Sequence, residues 1–322
     1  MTSGQKPEEA VMIARLAAVI STAALVVGLT GATAAAATSA RPAEAAVGHD
    51  AAAALKCSPR TGQKLVSYGG PVYQTDFVGI VYWGSWWRTH GQSVKTELQA
   101  LFRGLSYNNK WAATLGQYCL PDYNLPITPL AGLGTVVTDR TNPPARPTDR
   151  QLGLESVKGF YCCNDVESLV IVVTPPGTAP ASDSAHGACG HHSWSNVPSP
   201  GEPGRTFPQP WIDIPYGVIL KSHGCGWKLK QGVAGALSVV AGHEWAEAVT
   251  DPYVNSPRKD GLGTGWATKG QKANEEVADL CETELLYHVL HRRVFVLKLR
   301  TGDFVMQDLW SNAARRCVEG AS

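Results

Sequence analysis

The strongest constraint on the fold is a run of small and apolar residues, 232–250, with three polar side chains near its end. The run is long enough for about five helical turns, and a helix that is apolar most of the way round is typically buried. The three polar side chains are His243, Glu244 and Glu247. Asp251-Pro252 follows, and the residue before a proline disfavours the α conformation, so we expect the helix to end there.

The spacing of these side chains is that of a metal site on a helix. Residues four apart lie on the same face, so His243 and Glu247 can bind one ion. Glu244 lies about 100° round from His243 and is placed to act as a general base on a water at that ion. The zinc hydrolases with a His-Glu-x-x-His motif have this arrangement, here with glutamate replacing the second histidine, and carboxylate oxygen is also an ordinary zinc ligand. The alternative is a helix whose polar face meets solvent, but polar groups on a buried helix need partners.

A zinc site of this kind requires a third protein ligand, and the acidic segment 275–279 offers one. We predict that Glu276 is this ligand and keep Glu275 as the second choice. Asp279, three residues beyond Glu276, would lie on the same face and accept the other N–H of His243. The alternative is an acidic helix start that faces solvent.

The first 46 residues have the order of a secretory signal. Arg15 precedes an apolar run at 16–29, and small, Ala-rich residues follow up to Ala46. The run is short for a membrane span, so we expect removal of residues 1–46, secretion of the protein and no stable membrane anchor; a permanent N-terminal anchor is the alternative. Residues 47–322 are long enough for a single large domain, which is our prediction; a domain with a smaller subordinate lobe is the alternative.

Charge and cysteine content narrow the class of protein further. The formal net charge of +1 gives no electrostatic signature of nucleic-acid binding, and we expect no such partner. The eight cysteines all follow the leader, and their even number favours disulfides in an exported chain. Zinc binding by cysteine is the alternative, although the sequence contains no Cys-x-x-Cys pair. We expect Cys281 and Cys317 to be oxidised.

Hydrophobic periodicity predicts a mixture of strands and helices. Strands are predicted at 77–83, 135–139 and 169–174, and a hairpin at 294–299 and 304–310. Helices are predicted at 94–105 and 149–157, with a shorter helical piece at 111–118.

Two segments before the predicted helix at 232–250 have less regular sequence patterns. Residues 177–210 are rich in Gly, Pro and Ser and are predicted to be irregular. They contain His191 and His192, for which we favour a structural or ligand-orienting role over metal ligation. Residues 211–220 are predicted to be an edge strand, because Pro215 cannot donate to a sheet, and to pair with an extended peptide.

Taken in order, these segments resemble the EXORDIUM (phosphate-induced protein) family and its bacterial secreted relatives. The similarity spans most of residues 70–320. In the plant members two cysteines are usual where this chain has Cys225 alone, so disulfide pairings are not carried over. The matching segments are Val81-Tyr82-Trp83-Gly84-Ser85-Trp86, Cys189-Gly190-His191-His192, Ile214-Pro215-Tyr216 with Cys225-Gly226-Trp227, the closest matches at 243–252 and 276–281, and the tail Trp310-Ser311-Asn312-Ala313 with Cys317.

The resemblance implies an extracellular protein with a metallopeptidase-like motif, and two functions follow. The first is a secreted zinc endopeptidase with an α+β, zincin-like fold, in which a mixed sheet packs beside the metal helix. Zinc would be bound by His243, Glu247 and Glu276, and Glu244 would be the general base in the hydrolysis of a peptide or protein substrate. The second is a non-catalytic extracellular protein that binds cell-wall material, mildly favoured by the ten tryptophans, since sugars stack on aromatic faces.

Overall fold

The computed structural model describes residues 57–59, 61–73, 77–119, 126–127, 131–159, 168–181, 188–199, 203–221, 225, 231–256, 263–270, 275–281 and 294–321. The predicted secretory signal lies outside these residues, as do Cys162 and Cys163. The strands are β1 (Leu65–Ser67), β2 (Phe77–Trp83), β3 (Gly132–Asp139), β4 (Leu169–Thr174), β5 (His191–Pro198), β6 (Thr206–Pro215), β7 (Trp266–Thr268), β8 (Val294–Leu299), β9 (Gly302–Gln307), β10 (Leu309–Ser311) and β11 (Arg316–Val318). The helices are α1 (Gln92–Leu105), α2 (Lys110–Ala113), α3 (Asp149–Ser156), α4 (Tyr216–Lys221) and α5 (Gly232–Thr250).

A five-stranded mixed sheet forms the centre of the fold, in the order β3-β2-β4-β6-β5. Strands β2, β3, β4 and β6 run parallel, and β5 is antiparallel to β6. Every residue of β4 is buried, which accounts for its uninterrupted apolar sequence, since a parallel strand is covered on both faces. The predicted strands at 77–83, 135–139 and 169–174 and the α+β class are confirmed.

The prediction of an edge strand at 211–220 is wrong. Residues 206–215 form β6, which lies inside the sheet between β4 and β5, and residues 216–221 form α4. Pro215 is the last residue of β6, where a missing N–H is tolerated because the chain is about to leave the sheet. The edge strand on this side of the sheet is β5, whose residues lie within the segment that was predicted to be irregular.

Helix α5 is the buried helix that its apolar sequence predicts. Its side chains join the main hydrophobic core, where Leu237, Ala241 and Trp245 are almost fully buried. The helix contacts α1, β5, β6 and β9, so that it packs beside the sheet as expected. It ends at Thr250, directly before Asp251-Pro252, which confirms the predicted stop.

Three two-stranded sheets complete the described structure. Strand β1 pairs with β7, β8 pairs with β9, and β10 pairs with β11, all antiparallel. The hairpin predicted near 294–310 is therefore confirmed. The helical predictions at 94–105, 111–118 and 149–157 are confirmed by α1, by α2 with the 3₁₀ turn that follows it, and by α3.

Six cysteines form three disulfides, which agrees with the preference for disulfides over cysteine-bound zinc. The pairs are Cys57–Cys119, Cys189–Cys225 and Cys281–Cys317. The expected oxidation of Cys281 and Cys317 is thus confirmed, and they pair with each other. Disulfides of this number are typical of proteins in an oxidising compartment. Within the described parts of the chain, no helix is long and apolar enough to cross a bilayer.

Candidate metal centre

Seven ionisable side chains meet where α5 packs against β5 and the segment 275–281. We call them the acid–imidazole cluster: His192, His243, Glu244, Glu247, Asp251, Glu276 and Asp279. Two are imidazoles and five are carboxyls, and most of them are buried from solvent. Within this cluster two groups have ligand atoms within 4.8 Å of one another, His243–Glu244–Glu247 and His192–Glu247–Glu276. Glu247 belongs to both groups.

The orientation of His243 is fixed by Gln307, the last residue of β9. The side-chain amide of Gln307 donates to the carbonyl of Ala278 at 3.0 Å, which turns its Oε1 toward His243 Nδ1 at 3.1 Å. An amide oxygen only accepts, so Nδ1 carries the hydrogen. The other nitrogen, Nε2, lies 3.2 Å from Glu247 Oε2 and 3.5 Å from Asp279 Oδ1. In a neutral ring its lone pair therefore faces two carboxylates, an arrangement that is satisfied by a proton on Nε2 or by a metal ion.

His192 is surrounded by acceptors in the same way. Its Nε2 lies 3.2 Å from the carbonyl oxygen of Asp251 and 3.5 Å from Glu276 Oε2. Its Nδ1 lies 3.4 Å from Glu244 Oε2 and 3.7 Å from Glu247 Oε2. A neutral imidazole has one hydrogen for two nitrogens, so one nitrogen of His192 also faces oxygens without a hydrogen between them.

The turn 275–281 positions Glu276 and Asp279. The backbone N–H of Glu276 donates to Asp279 Oδ2 at 3.1 Å, and the backbone N–H of Asp279 donates to Glu247 Oε1 at 3.0 Å. Glu276 is 4% exposed, whereas Glu275 is only half-buried and its backbone pairs with Thr268. Of the two predicted alternatives, it is therefore Glu276 that the structure brings into the cluster. The disulfide Cys281–Cys317 holds the end of this turn.

Burial and mutual repulsion alter the protonation of the cluster. Burial, followed by the charge of Asp279, raises the pKa of Glu247 to about 7. Burial and the charge of Glu247 raise the pKa of Glu276 well above its usual value. Burial acts to lower the pKa of both imidazoles, but the carboxylates around them outweigh it, and the pKa of each is raised. The site thus holds protons wherever no other cation neutralises it.

The donor atoms fit a divalent metal ion. Glu276 Oε1 and Asp251 Oδ2 are buried and have no hydrogen-bond partner among the described residues. Leaving such oxygens without a donor or a cation is costly in a protein interior. Imidazole nitrogen with carboxylate oxygen is a donor set that zinc accepts.

The predicted site residues all lie in the cluster, but they are distributed over both of its groups. His243, Glu244 and Glu247 are together in one group, while Glu276 lies beside His192 in the other. The expectation that Asp279 binds the second N–H of His243 is wrong: Asp279 faces Nε2, the nitrogen that also faces Glu247, and Gln307 occupies the other side.

Three residues of the site were not assigned to it from the sequence: His192, Gln307, and Asp251, which was predicted only to end the helix. His192 was recognised only as one of a histidine pair, because β5 was not predicted as a strand. On a strand, successive side chains point to opposite faces, so His192 reaches α5 while the His191 ring contacts Trp211 at 5.0 Å. Gln307 lies 64 residues beyond His243, and no local pattern marks it.

The protein was compared with protein-family models, with curated proteins and with solved structures, and none of the three comparisons found a match. The resemblance to the EXORDIUM family therefore stays a prediction, and the function has to be argued from the geometry of the cluster.

Proposed function

We propose that the protein is a secreted, zinc-dependent endopeptidase of the zincin type with Glu244 as its general base. The observation that carries this proposal is the group His243–Glu244–Glu247, which lies on one buried helix with its ligand atoms within 4.8 Å of one another. These three are the ionisable side chains of a helix that is otherwise uncharged, and ionisable groups in a buried helix need partners.

The residues that would hold the ion are His243 and Glu247 on α5, with Glu276 as the predicted third ligand. Asp279 is the competing third ligand, since its Oδ1 lies 3.5 Å from His243 Nε2. A site with one nitrogen suits four-coordinate zinc better than calcium, which prefers six to eight oxygens. When bound, zinc would supply Lewis acidity, polarising a peptide carbonyl and making a water more acidic.

Glu244 is placed to accept a proton and pass it on. It is 6% exposed, and its Oε2 lies 3.4 Å from His192 Nδ1. A proton taken from an attacking water can reside on this carboxylate and be delivered to the amine of the leaving peptide. The contact with His192 orients the carboxylate of Glu244.

The substrate would bind along the edge strand β5. An extended peptide can add to the edge of a sheet through main-chain hydrogen bonds, and β5 is the last strand of the central sheet in the described structure. The same strand begins with His191 and His192, so a peptide on its outer edge would pass close to α5. The proposal thus assigns to β5 the peptide pairing that was predicted for residues 211–220.

Secretion is part of the proposal. Three disulfides support an oxidising compartment, and the leader 1–46 has the composition of a signal that is removed on export.

A binding protein for cell-wall saccharides is the alternative function. A cavity of about 590 Å³ lies at the carboxyl ends of β2, β3 and β4, lined by Trp86, His90, Asn142 and Thr178 among others. Ligands in α/β sheets commonly bind at the carboxyl ends of parallel strands. The rings of Trp86 and His90, both in the lining, stack on each other with their centroids 4.9 Å apart.

Zinc removal and restoration distinguish the two functions. The purified protein is assayed on a broad peptide library as isolated, after chelation, and after zinc is added back. The proposal predicts cleavage that is lost on chelation and restored by zinc. A protein that retains zinc and cleaves no peptide would favour the binding function instead. Calcium at one per chain with zinc absent would contradict the choice of metal.

A further inference from the structure

We propose that the acid–imidazole cluster binds a second divalent metal ion, between His192, Glu247 and Glu276, with Glu247 bridging it to the ion at His243. This inference rests on the proposed function, since it concerns the same cluster, but it adds an ion and a new ligand, His192. It assigns Glu276 to that second ion, which leaves Asp279 as the third ligand of the ion at His243.

The first observation is that each imidazole has acceptors at both ring nitrogens, so each ring must either be protonated or bind a metal ion. His243 has an acceptor at each ring nitrogen, namely Gln307 Oε1 on one side and Glu247 Oε2 on the other. His192 likewise has acceptors at both nitrogens, at 3.2–3.7 Å. With one ion beside His243, His192 still has acceptors at both nitrogens, which either a second ion or a proton on its ring satisfies, and zinc stoichiometry separates the two.

The second observation is the position of Glu247 Oε2. This oxygen lies 3.2 Å from His243 Nε2 and 3.7 Å from His192 Nδ1, so it stands between the two rings. Its partner Oε1 is held by the backbone N–H of Asp279. A carboxylate placed between two metal-binding groups is the usual bridge in sites with two ions, where the ions lie about 3.5–4 Å apart.

The third observation is that oxygens on the His192 side lack donors. Glu276 Oε1 and Asp251 Oδ2 are buried and have no hydrogen-bond partner among the described residues. Glu276 belongs to the His192 group and not to the His243 group. A second ion would use Glu276 directly and would neutralise the charge that five carboxyls bring together. A proton shared between Glu276 and Asp251 would also satisfy these oxygens, and zinc stoichiometry separates the two arrangements.

The second site offers one imidazole nitrogen and carboxylate oxygens, a ligand set that zinc accepts. We therefore use zinc as the probe of this site. The number of zinc ions per chain is measured by elemental mass spectrometry after equilibration with buffered Zn²⁺. The samples are the wild type, His192→Ala, His243→Ala and Glu247→Ala. We expect about two ions in the wild type, about one in each histidine variant, and strongly reduced binding of both in Glu247→Ala.

The control variant is His191→Ala, which removes the neighbouring imidazole on the other face of β5 and should leave both ions in place. Circular dichroism of each variant without metal verifies its fold. A further measurement uses the wild type and so does not depend on the folding of a variant. Two manganese ions bridged by Glu247 should give a spin-coupled electron paramagnetic resonance signal rather than the signal of isolated ions.

Each remaining outcome contradicts the second site in a recognisable way. One zinc per chain that is lost in His243→Ala and kept in His192→Ala would overturn the second ion and leave the proposed function standing. One zinc that both histidine variants lose would mean that a single ion is shared, which also overturns it. One zinc that only His192→Ala loses would overturn it and remove the ion from the helix motif. No bound zinc at all would overturn the second ion and the proposed function together.

Discussion

Gln307 determines which nitrogen of His243 faces the carboxylates, because its own amide is oriented by the Ala278 carbonyl. Gln307→Leu removes this acceptor and frees the ring to rotate or change tautomer. We expect zinc affinity to fall about 10- to 100-fold, as is typical when a hydrogen-bond partner of a ligand is lost. Competition with a chromophoric chelator measures the change. Gln209→Leu is the matched control, since Gln209 is equally buried but bonds to Ser168 and Pro210, away from the cluster. Equal zinc affinity in wild type and Gln307→Leu would contradict the assigned orientation.

The raised pKa values of the buried carboxyls predict how the site responds to pH. In the metal-free protein the pKa of Glu247 is about 7 and that of Asp251 about 6, both raised chiefly by burial. Each group therefore holds more protons when folded than when unfolded, so the free energy of unfolding without metal falls as pH rises from about 4 to 7. Zinc must displace these protons, so its affinity should rise over the same window.

Titration calorimetry at pH 6 in two buffers of different ionisation enthalpy measures the protons released on zinc binding. We expect net release of at least about one proton per chain. Binding with no proton exchange, and with an affinity that does not change between pH 5 and 7, would show that the carboxyls are ionised before the metal arrives.

At the scale of elements, strand β5 is positioned by its close approach to α5. A Cβ added at Gly190 would lie 2.7 Å from Val240 Cγ1 and 3.0 Å from the carbonyl oxygen of Asp213. Gly190→Ala should therefore push the start of β5 away from α5, with a loss of about 1–3 kcal/mol in the free energy of unfolding. His192 would move with it, and zinc binding on that side should weaken.

Denaturant unfolding and zinc stoichiometry measure the two effects. The control is Gly134→Ala in β3, at the opposite edge of the sheet. There the atom nearest to the added Cβ is Phe77 Cβ, at 3.3 Å. Unchanged zinc binding in Gly190→Ala would indicate that His192 does not depend on this packing.

The elements differ in how well the sequence predicts them, for physical reasons. Strand β4 and helix α5 were predicted because both are buried, and burial leaves an apolar run that local patterns detect. Strand β5 was not predicted because it lies at an edge of the sheet and carries polar side chains on both faces. Its strand conformation therefore depends on its backbone pairing with β6. The helix half of the candidate site was therefore predictable from spacing, whereas His192 and Gln307 depend on contacts distant in sequence.

At the scale of the whole molecule, the disulfide Cys281–Cys317 links the turn that carries Glu276 to β11 near the C-terminus. Replacing both cysteines by serine should lower the free energy of unfolding by about 2–5 kcal/mol. It should also weaken zinc binding, because the turn that presents Glu276 and Asp279 loses an anchor.

The control is the double serine variant of Cys57 and Cys119, which removes a disulfide between two residues 62 apart in sequence, neither of which belongs to the turn 275–281. This variant should lose stability without a specific loss of zinc affinity once the folded fraction is taken into account. Equal zinc affinity in both double variants would indicate that the Cys281–Cys317 disulfide stabilises the fold but does not position the site.

The most direct test of a metal-dependent hydrolase compares two variants one helical turn apart. Glu244→Gln is nearly isosteric, so it should keep the fold and the zinc but lose about 10²- to 10⁴-fold in peptidase rate, as expected when a general base is removed. Glu247→Ala removes a ligand and should lose both zinc and activity. Zinc content and peptide cleavage are measured on the same samples. Full zinc content in both variants, or wild-type cleavage by Glu244→Gln, would contradict the assignment of this helix as a catalytic metal site.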